Sequence, residues 1–192
     1  MKKRNILIAG AGGRDFANYL VYFKNNPNFE VVAFTATQIP GIEKRNFPKE
    51  LTGSNKDISI YPESKLEELI LKLKVDYVFL SYSDLSHQYV MEFASRVLAA
   101  GCNFSLLGTK DTYVKSRKPV IAICAVRTGC GKSQTSRAVG EILKRKGKRV
   151  VAIRHAMPYG NLLTQTCQRF ADPKDFRKYK TTIEEEEEYQ PW

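Results

Sequence analysis

The sequence predicts an α/β protein organised around parallel sheets, and three observations carry that prediction. Short apolar runs alternate with amphipathic helical stretches between residues 5 and 107. A second alternation opens with the uninterrupted apolar run Val120 to Val126. Glycine-rich turns, Gly10-Ala-Gly-Gly13 and Gly129-Cys-Gly131, follow the first apolar run of each series. Strands alternating with helices of this length need crossover connections, and those place helices on both faces of a parallel sheet.

In chain order, Asn5 to Ala9 is a short apolar strand, and Asp15 to Asn25 is a helix with Phe16, Tyr19, Leu20 and Phe23 on one face. Val31 to Thr35 is a second strand. Ile39 to Lys56, rich in Pro, Gly, Asn and Lys, is a long surface loop. Ile58 to Tyr61 is a strand, and Glu63 to Leu73 is a helix with Leu66, Leu69, Ile70 and Leu73 inward. Tyr77 to Tyr82 is a strand. His87 to Ala100 is a helix stopped by Gly101, and Asn103 to Leu107 is a fifth strand. Residues 1–108 therefore read as a Rossmann-like domain.

Residues 109–118 are polar and basic and read as a linker. Residues 119–192 form the second unit. Val120 to Val126 suits a central parallel strand buried on both faces. A helix from Ser133 to Lys146 follows, capped by Gly147, and then a strand from Arg149 to Arg154. Leu162 to Phe170 reads as helical, and Asp172-Pro173 breaks it. Thr182 with Glu185 three residues later makes a capping box. The run Glu184 to Glu188 reads as a solvated helical face.

Charge is unevenly spread. The 192 residues carry 31 Lys and Arg against 20 Asp and Glu, a net of +11. Residues 1–117 hold 16 basic and 12 acidic side chains, whereas residues 118–183 hold 15 and 3. The excess thus lies beside the second glycine turn and favours an anionic ligand there. No nucleic-acid-binding motif accompanies it, so nucleic acid is left out as a partner. The four cysteines, Cys102, Cys124, Cys130 and Cys167, lack CxxC spacing and read as free thiols in a reducing compartment. No apolar stretch approaches the length of a membrane span, and the basic N-terminus has too short an apolar run for a secretory signal. A cytoplasmic location is expected. Homo-oligomerisation is left open.

The turn after Val126 carries the chemistry. Arg127, Thr128, Gly129, Cys130, Gly131, Lys132, Ser133, Gln134 and Thr135 lie between a buried strand and a helix. Small glycines let backbone N–H groups wrap phosphate oxygens, and the helix N-terminus adds its dipole to the same anion. Lys132 would reach the outer phosphates, Ser133 would offer its hydroxyl to Mg²⁺, and Thr135 would reach the inner phosphate. ATP or GTP with Mg²⁺ is the expected cofactor pair. The first position of the usual pattern is Val126 rather than glycine, and in that respect the loop resembles that of dethiobiotin synthetase. No apolar run ending in an acid follows residue 133, so the carboxylate that usually shares the magnesium ion is missing from its expected place. With so few strands and helices, the P-loop domain is expected to be partial.

The stretches NILIAGAGGRD (Asn5–Asp15), VVAFTATQIP (Val31–Pro40), SYSDLSH (Ser81–His87), VRTGCGKSQTSR (Val126–Arg137) and RHAMPYG (Arg154–Gly160) together resemble cyclic 2,3-diphosphoglycerate synthetase and its predicted-GTPase relatives. The resemblance covers essentially the whole chain, in a family more than twice as long. It implies ATP-driven closure of a small phosphorylated acid, with the remaining nucleotide-domain strands and the magnesium-sharing acid beyond Trp192.

The first unit offers a second candidate site. Gly12, Gly13, Arg14 and Asp15 follow its first strand, and Ser83, Asp84, Ser86 and His87 follow its fourth. In open α/β sheets ligands bind beyond the carboxyl ends of strands, so the two groups are expected to converge on a small anionic phosphorylated metabolite. Asp84 or Ser86 reads as a helix N-cap rather than a catalyst, and His87 is equally a cap or a contact. A dinucleotide is disfavoured, because Asp15 replaces the third glycine and Thr35, Thr37 and Gln38 stand where a ribose-binding acid would be. On the ligand edge of the second unit, Arg154 would stabilise charge in phosphoryl transfer and His155 would act as acid or base; with Lys132 they are the candidate catalytic residues. The favoured function is nucleotide-dependent phosphoryl transfer or cyclisation. The alternative is a GTPase-type switch or chaperone-like binder with no small-molecule substrate.

Overall fold

The computed structural model describes residues 2–10, 13–37, 41, 44–82, 84–125, 129–154, 161–164 and 166–192. The chain divides into two units, Met1–Val114 and Lys115–Trp192.

In the first unit, six strands form one sheet. They are β1 (Arg4–Gly10), β2 (Phe29–Ala36), β3 (Asn46–Phe47), β4 (Ile58–Pro62), β5 (Tyr77–Leu80) and β6 (Asn103–Leu106). Their spatial order is β3-β4-β2-β1-β5-β6, and every pairing is parallel except β3 with β4. The unit is thus mixed α/β with a mostly parallel sheet, consistent with a Rossmann-like fold. The chain starts in the middle, builds one side through β2 and β4, and then crosses β1 to place β5 on the other side. The ends of β1 and β5 are therefore neighbours, with Ala9 paired to Leu80.

Burial explains the strands. Ile6, Leu7, Ile8 and Ala9 of β1 are all fully buried, as a central strand covered on both faces requires. On one face Leu7, Ala9, Ala33, Val78 and Leu80 pack with Leu66, Leu69 and Ile70 of α3 (Leu66–Lys72) and with Phe93 and Val97 of α4 (His87–Ala99). An aromatic layer lies on the other. Phe16 stacks on Phe47 at 4.9 Å, Phe34 meets Phe47 at 5.3 Å, and Phe23 meets Phe79 edge-on at 5.0 Å. Such offset and edge-to-face pairs add to the gain from area burial.

The predicted helix from Asp15 to Asn25 is α1 (Arg14–Asn18) continued as a π turn over Tyr19–Phe23. The predicted surface loop contains β3 and α2 (Lys49–Thr52), because buried Phe47 is drawn into the aromatic layer. The end of the unit adds α5 (Thr109–Thr112), inside the stretch read as a linker.

The second unit departs further from expectation. Its helices are α6 (Lys132–Arg145), α7 (Lys174–Tyr179) and α8 (Ile183–Tyr189). Residues 120–125, most of the run read as a buried central strand, and 149–154, read as a further strand, join no ladder among the described residues. Val120 is 70% exposed, Val151 81% and Ile153 92%. The physical reason is that an apolar run becomes a strand only where neighbours accept its backbone hydrogen bonds, and no described strand lies beside either segment. Residues 161–170 make turns rather than a helix among those described. Phe170 instead gathers Phe176, Tyr179 and Tyr189 at 5.7, 5.1 and 4.7 Å, tying α7 to α8. The capping box at Thr182 forms as expected, with the Glu185 N–H donating to Thr182 Oγ1 at 3.3 Å and the Thr182 N–H to Glu185 Oε2 at 3.0 Å.

Candidate functional site

The glycine turn before α6 has the backbone that its residues call for. Gly129 and Gly131 both have φ of 81°, the left-handed region that glycine enters without steric cost. Gly131 is the residue before the helix, and its carbonyl accepts from the Thr135 N–H at 3.0 Å. Cys130, Lys132, Gln134 and Thr135 are exposed around this turn, and Ser133 is half-buried. Arg127, Thr128 and His155 lie outside the described residues, as do Gly12, Gln38 and Ser83.

The acidic segment reaches this turn. The Ser133 hydroxyl donates to Glu188 Oε1 at 3.1 Å, and the Arg154 guanidinium pairs with Glu188 Oε2. The Arg154 guanidinium also stands over the Tyr189 ring, 5.5 Å from its centre. Burial raises the pKa of the Tyr189 hydroxyl, with Arg154 acting against it and Glu185 and Glu188 adding to it.

Four residues of α6 hold the C-terminal segment. Ser133 meets Glu188, Arg137 donates to the Glu187 carbonyl at 2.8 Å, Gly140 lies under the Trp192 ring, and the Lys144 ammonium donates to the Trp192 carbonyl at 3.3 Å. Positions 133, 137, 140 and 144 recur at helical spacing and so line one face. A Cβ at Gly140 would stand 2.3 Å from the Trp192 ring, so the ring rests directly on the helix only while this position is glycine.

Sequence reasoning placed Lys132, Ser133 and Arg154 in one site, and the structure joins Ser133 to Arg154 through Glu188. It did not find Glu188, which is hidden in a run of five like residues. The capping box announces a helix there but not what that helix packs against.

No group of three or more His, Cys, Asp or Glu side chains capable of caging a metal exists among the described residues. The oxygens of Ser133 and Glu188 nevertheless suit Mg²⁺, which commonly takes one or two carboxylates together with substrate phosphates and water.

In the first unit the carboxyl edge is built differently. Asp15 is 1% exposed and accepts from the Gly13 N–H at 2.6 Å, so its carboxylate holds the turn from within. Asn18 donates to Ser81 Oγ at 2.8 Å, and both are buried; this bond ties α1 to the end of β5. The two segments thus converge as their topology requires, through Asn18 and Ser81, neither of which sequence reasoning singled out. Arg14, Asp84 and His87 are exposed at the same edge. Ser86 is the helix cap, accepting from the Tyr89 N–H at 3.2 Å, and His87 opens α4. Thr35 Oγ1, near the end of β2, is buried and has no hydrogen-bond partner among the described residues.

The chain is thus an α/β protein with a Rossmann-like first unit and a glycine turn opening a helix in the second. Among characterised proteins, it is 55% identical to arginine synthetase ArcE of Thermococcus kodakarensis over 193 residues, which cover 100% of this chain and 43% of that protein. The chain spans less than half the length of that relative. The relative bears a synthetase name, though not that of cyclic 2,3-diphosphoglycerate synthetase. No family model matches the chain. Among solved structures, the Rex-family repressor RSP is 20% identical with a TM-score of 0.39, over 77% of this chain and 64% of that one. Its complex with beta-NADH gives 20%, 0.40, 76% and 65%. At that level the likeness bears on neither ligand nor function. No helix among the described residues is long and apolar enough to cross a membrane.

Proposed function

We propose that the chain binds ATP or GTP with Mg²⁺ at residues 127–135 and serves a nucleotide-dependent synthetase. The observation that carries this reading is the turn itself: two left-handed glycines lead into a 14-residue helix whose first side chain is an exposed lysine. The dipole and free N–H groups of such a helix end attract phosphate, and Lys132 adds a full charge. The basic excess of this half and the synthetase name of a 55% identical relative support the same reading.

Lys132 neutralises charge on the outer phosphates and Ser133 takes a place in the magnesium shell. When bound, the metal ion screens the phosphates and draws electron density from the bond to be broken. Arg154 stabilises charge that builds up during transfer, and His155 moves a proton. An acidic oxygen of the substrate attacks the terminal phosphate, and the nucleoside diphosphate leaves with the bonding electrons. Catalysis by these groups is largely positioning and charge neutralisation. In the first unit, Gly12, Gly13, Arg14, Ser83, Asp84 and His87 are the proposed contacts of a small anionic metabolite, and Asp15 shapes their turn from within.

Two small-molecule ligands follow from two resemblances. The relative's name points to arginine as a product, and the motif resemblance points to 2,3-diphosphoglycerate. Calorimetric titration of ATP and GTP in Mg²⁺ gives the base preference. Repeating it with arginine or with 2,3-diphosphoglycerate present separates the two, since the true ligand changes the nucleotide affinity. Absence of binding by either nucleotide contradicts the proposal.

A further inference from the structure

We propose that Glu188 is a carboxylate of the magnesium site, sharing the ion with Ser133. The inference rests on the nucleotide reading above.

Of the five consecutive glutamates, one side chain reaches the glycine turn. Glu185 is spent in the capping box. Glu186 accepts from Thr181 Oγ1 at 3.0 Å. Glu184 is held near Thr182, where its own backbone N–H and the threonine lower its pKa. Glu187 takes part through its backbone carbonyl, bonded to Arg137. Glu188 alone among them sets one oxygen on the Ser133 hydroxyl and the other on the Arg154 guanidinium.

Its position is not left to that ion pair, which as a half-exposed contact contributes little. The contacts along α6 fix the segment on both sides of Glu188, from Arg137 to Lys144. A carboxylate delivered to a phosphate-binding turn repels the ligand unless a cation lies between them. Mg²⁺ meets that need, because it takes hard oxygen donors and completes its shell with phosphates and water. Arg154 then has phosphate oxygens to pair with, which its planar donor fork suits as well as a carboxylate.

The test is calorimetric titration of the preferred nucleotide in Mg²⁺ and in EDTA, with Mn²⁺ electron paramagnetic resonance as a direct count of bound metal. The wild type, Glu188→Gln and Glu187→Gln are compared, and Trp192 fluorescence checks that the segment stays docked. The expected result is that Glu188→Gln loses the metal-dependent gain in affinity by about tenfold or more, loses bound Mn²⁺, and keeps its affinity in EDTA. Glu187→Gln should match the wild type. Retention of the metal-dependent gain in Glu188→Gln overturns the inference. So does tighter binding by that variant with and without metal, which makes Glu188 an obstruction rather than a ligand. If the wild type binds nucleotide through Lys132 while Glu188→Gln retains the gain, this inference alone fails. If no protein binds nucleotide, the reading of the turn fails and takes this one with it.

Discussion

The two units use similar sequence signals and reach different ends. Ile6 to Ala9 and Val120 to Ala125 are both apolar runs that precede a glycine turn and a helix. The first is fully buried between β2 and β5, with ladder partners on each side. The second has no ladder partner among the described residues and leaves Val120 mostly exposed. Apolarity makes a segment able to be a central strand; neighbours make it one. The second unit is held instead by side-chain contacts: an aromatic group around Phe170 and the stripe of α6 under the C-terminal segment.

Core truncation should break this comparison most sharply. Leu66 is fully buried under the sheet, so Leu66→Ala should lower stability by ~2–5 kcal/mol. Ile153→Ala, at an almost fully exposed apolar residue, should change it by less than ~0.5 kcal/mol. Urea denaturation of both variants checks this. A cost at Ile153 as large as at Leu66 would mean that the second unit buries residues 149–154 in solution.

A smaller effect is expected at Gly140. The Cβ of Gly140→Ala would overlap the Trp192 ring, which can swing away at little cost, while α6 gains ~1 kcal/mol of helix propensity. Net stability should change by no more than ~1 kcal/mol. The emission of Trp192, the single tryptophan, should shift to the red. Unchanged emission would show that the C-terminal segment does not lie on α6.

The smallest effect concerns acid in the first unit. Arg96 donates to Glu67 at 2.6 Å, and this contact lowers the carboxyl below its ordinary 4.5. A group whose pKa is depressed by folding stabilises the folded state above its unfolded pKa and loses that contribution as pH falls through the folded value. The pair is solvent-exposed, so the contribution is modest. Glu67→Gln should melt slightly below the wild type at neutral pH, and the two curves should converge below pH 4.5. A constant gap between them would remove the ion pair from the account.

Much of the first unit was legible because its signals are local. Periodicity marked five strands and their helices, and of the two cap candidates, Asp84 and Ser86, the second is the cap. What escaped was non-local. Phe47 joins the sheet only because distant aromatic rings receive it, and Asn18 meets Ser81 only once β1 and β5 are neighbours. In the second unit, composition could not reveal that two apolar runs would lack partners. The candidate site was legible where chemistry depends on residue order, from Gly129 to Ser133. It was illegible at Glu188, whose role depends on which of five identical side chains the docked helix turns toward Ser133.

The account rests on phosphate binding by the turn before α6. Its most direct test is calorimetric titration of Mg-ATP and Mg-GTP against the wild type and Lys132→Ala. The account predicts binding by the wild type and a loss of roughly tenfold or more in the variant, as removal of a charged hydrogen-bond donor worth ~1.5–3 kcal/mol implies. Equal affinities in the two proteins, or no binding by the wild type, would contradict it.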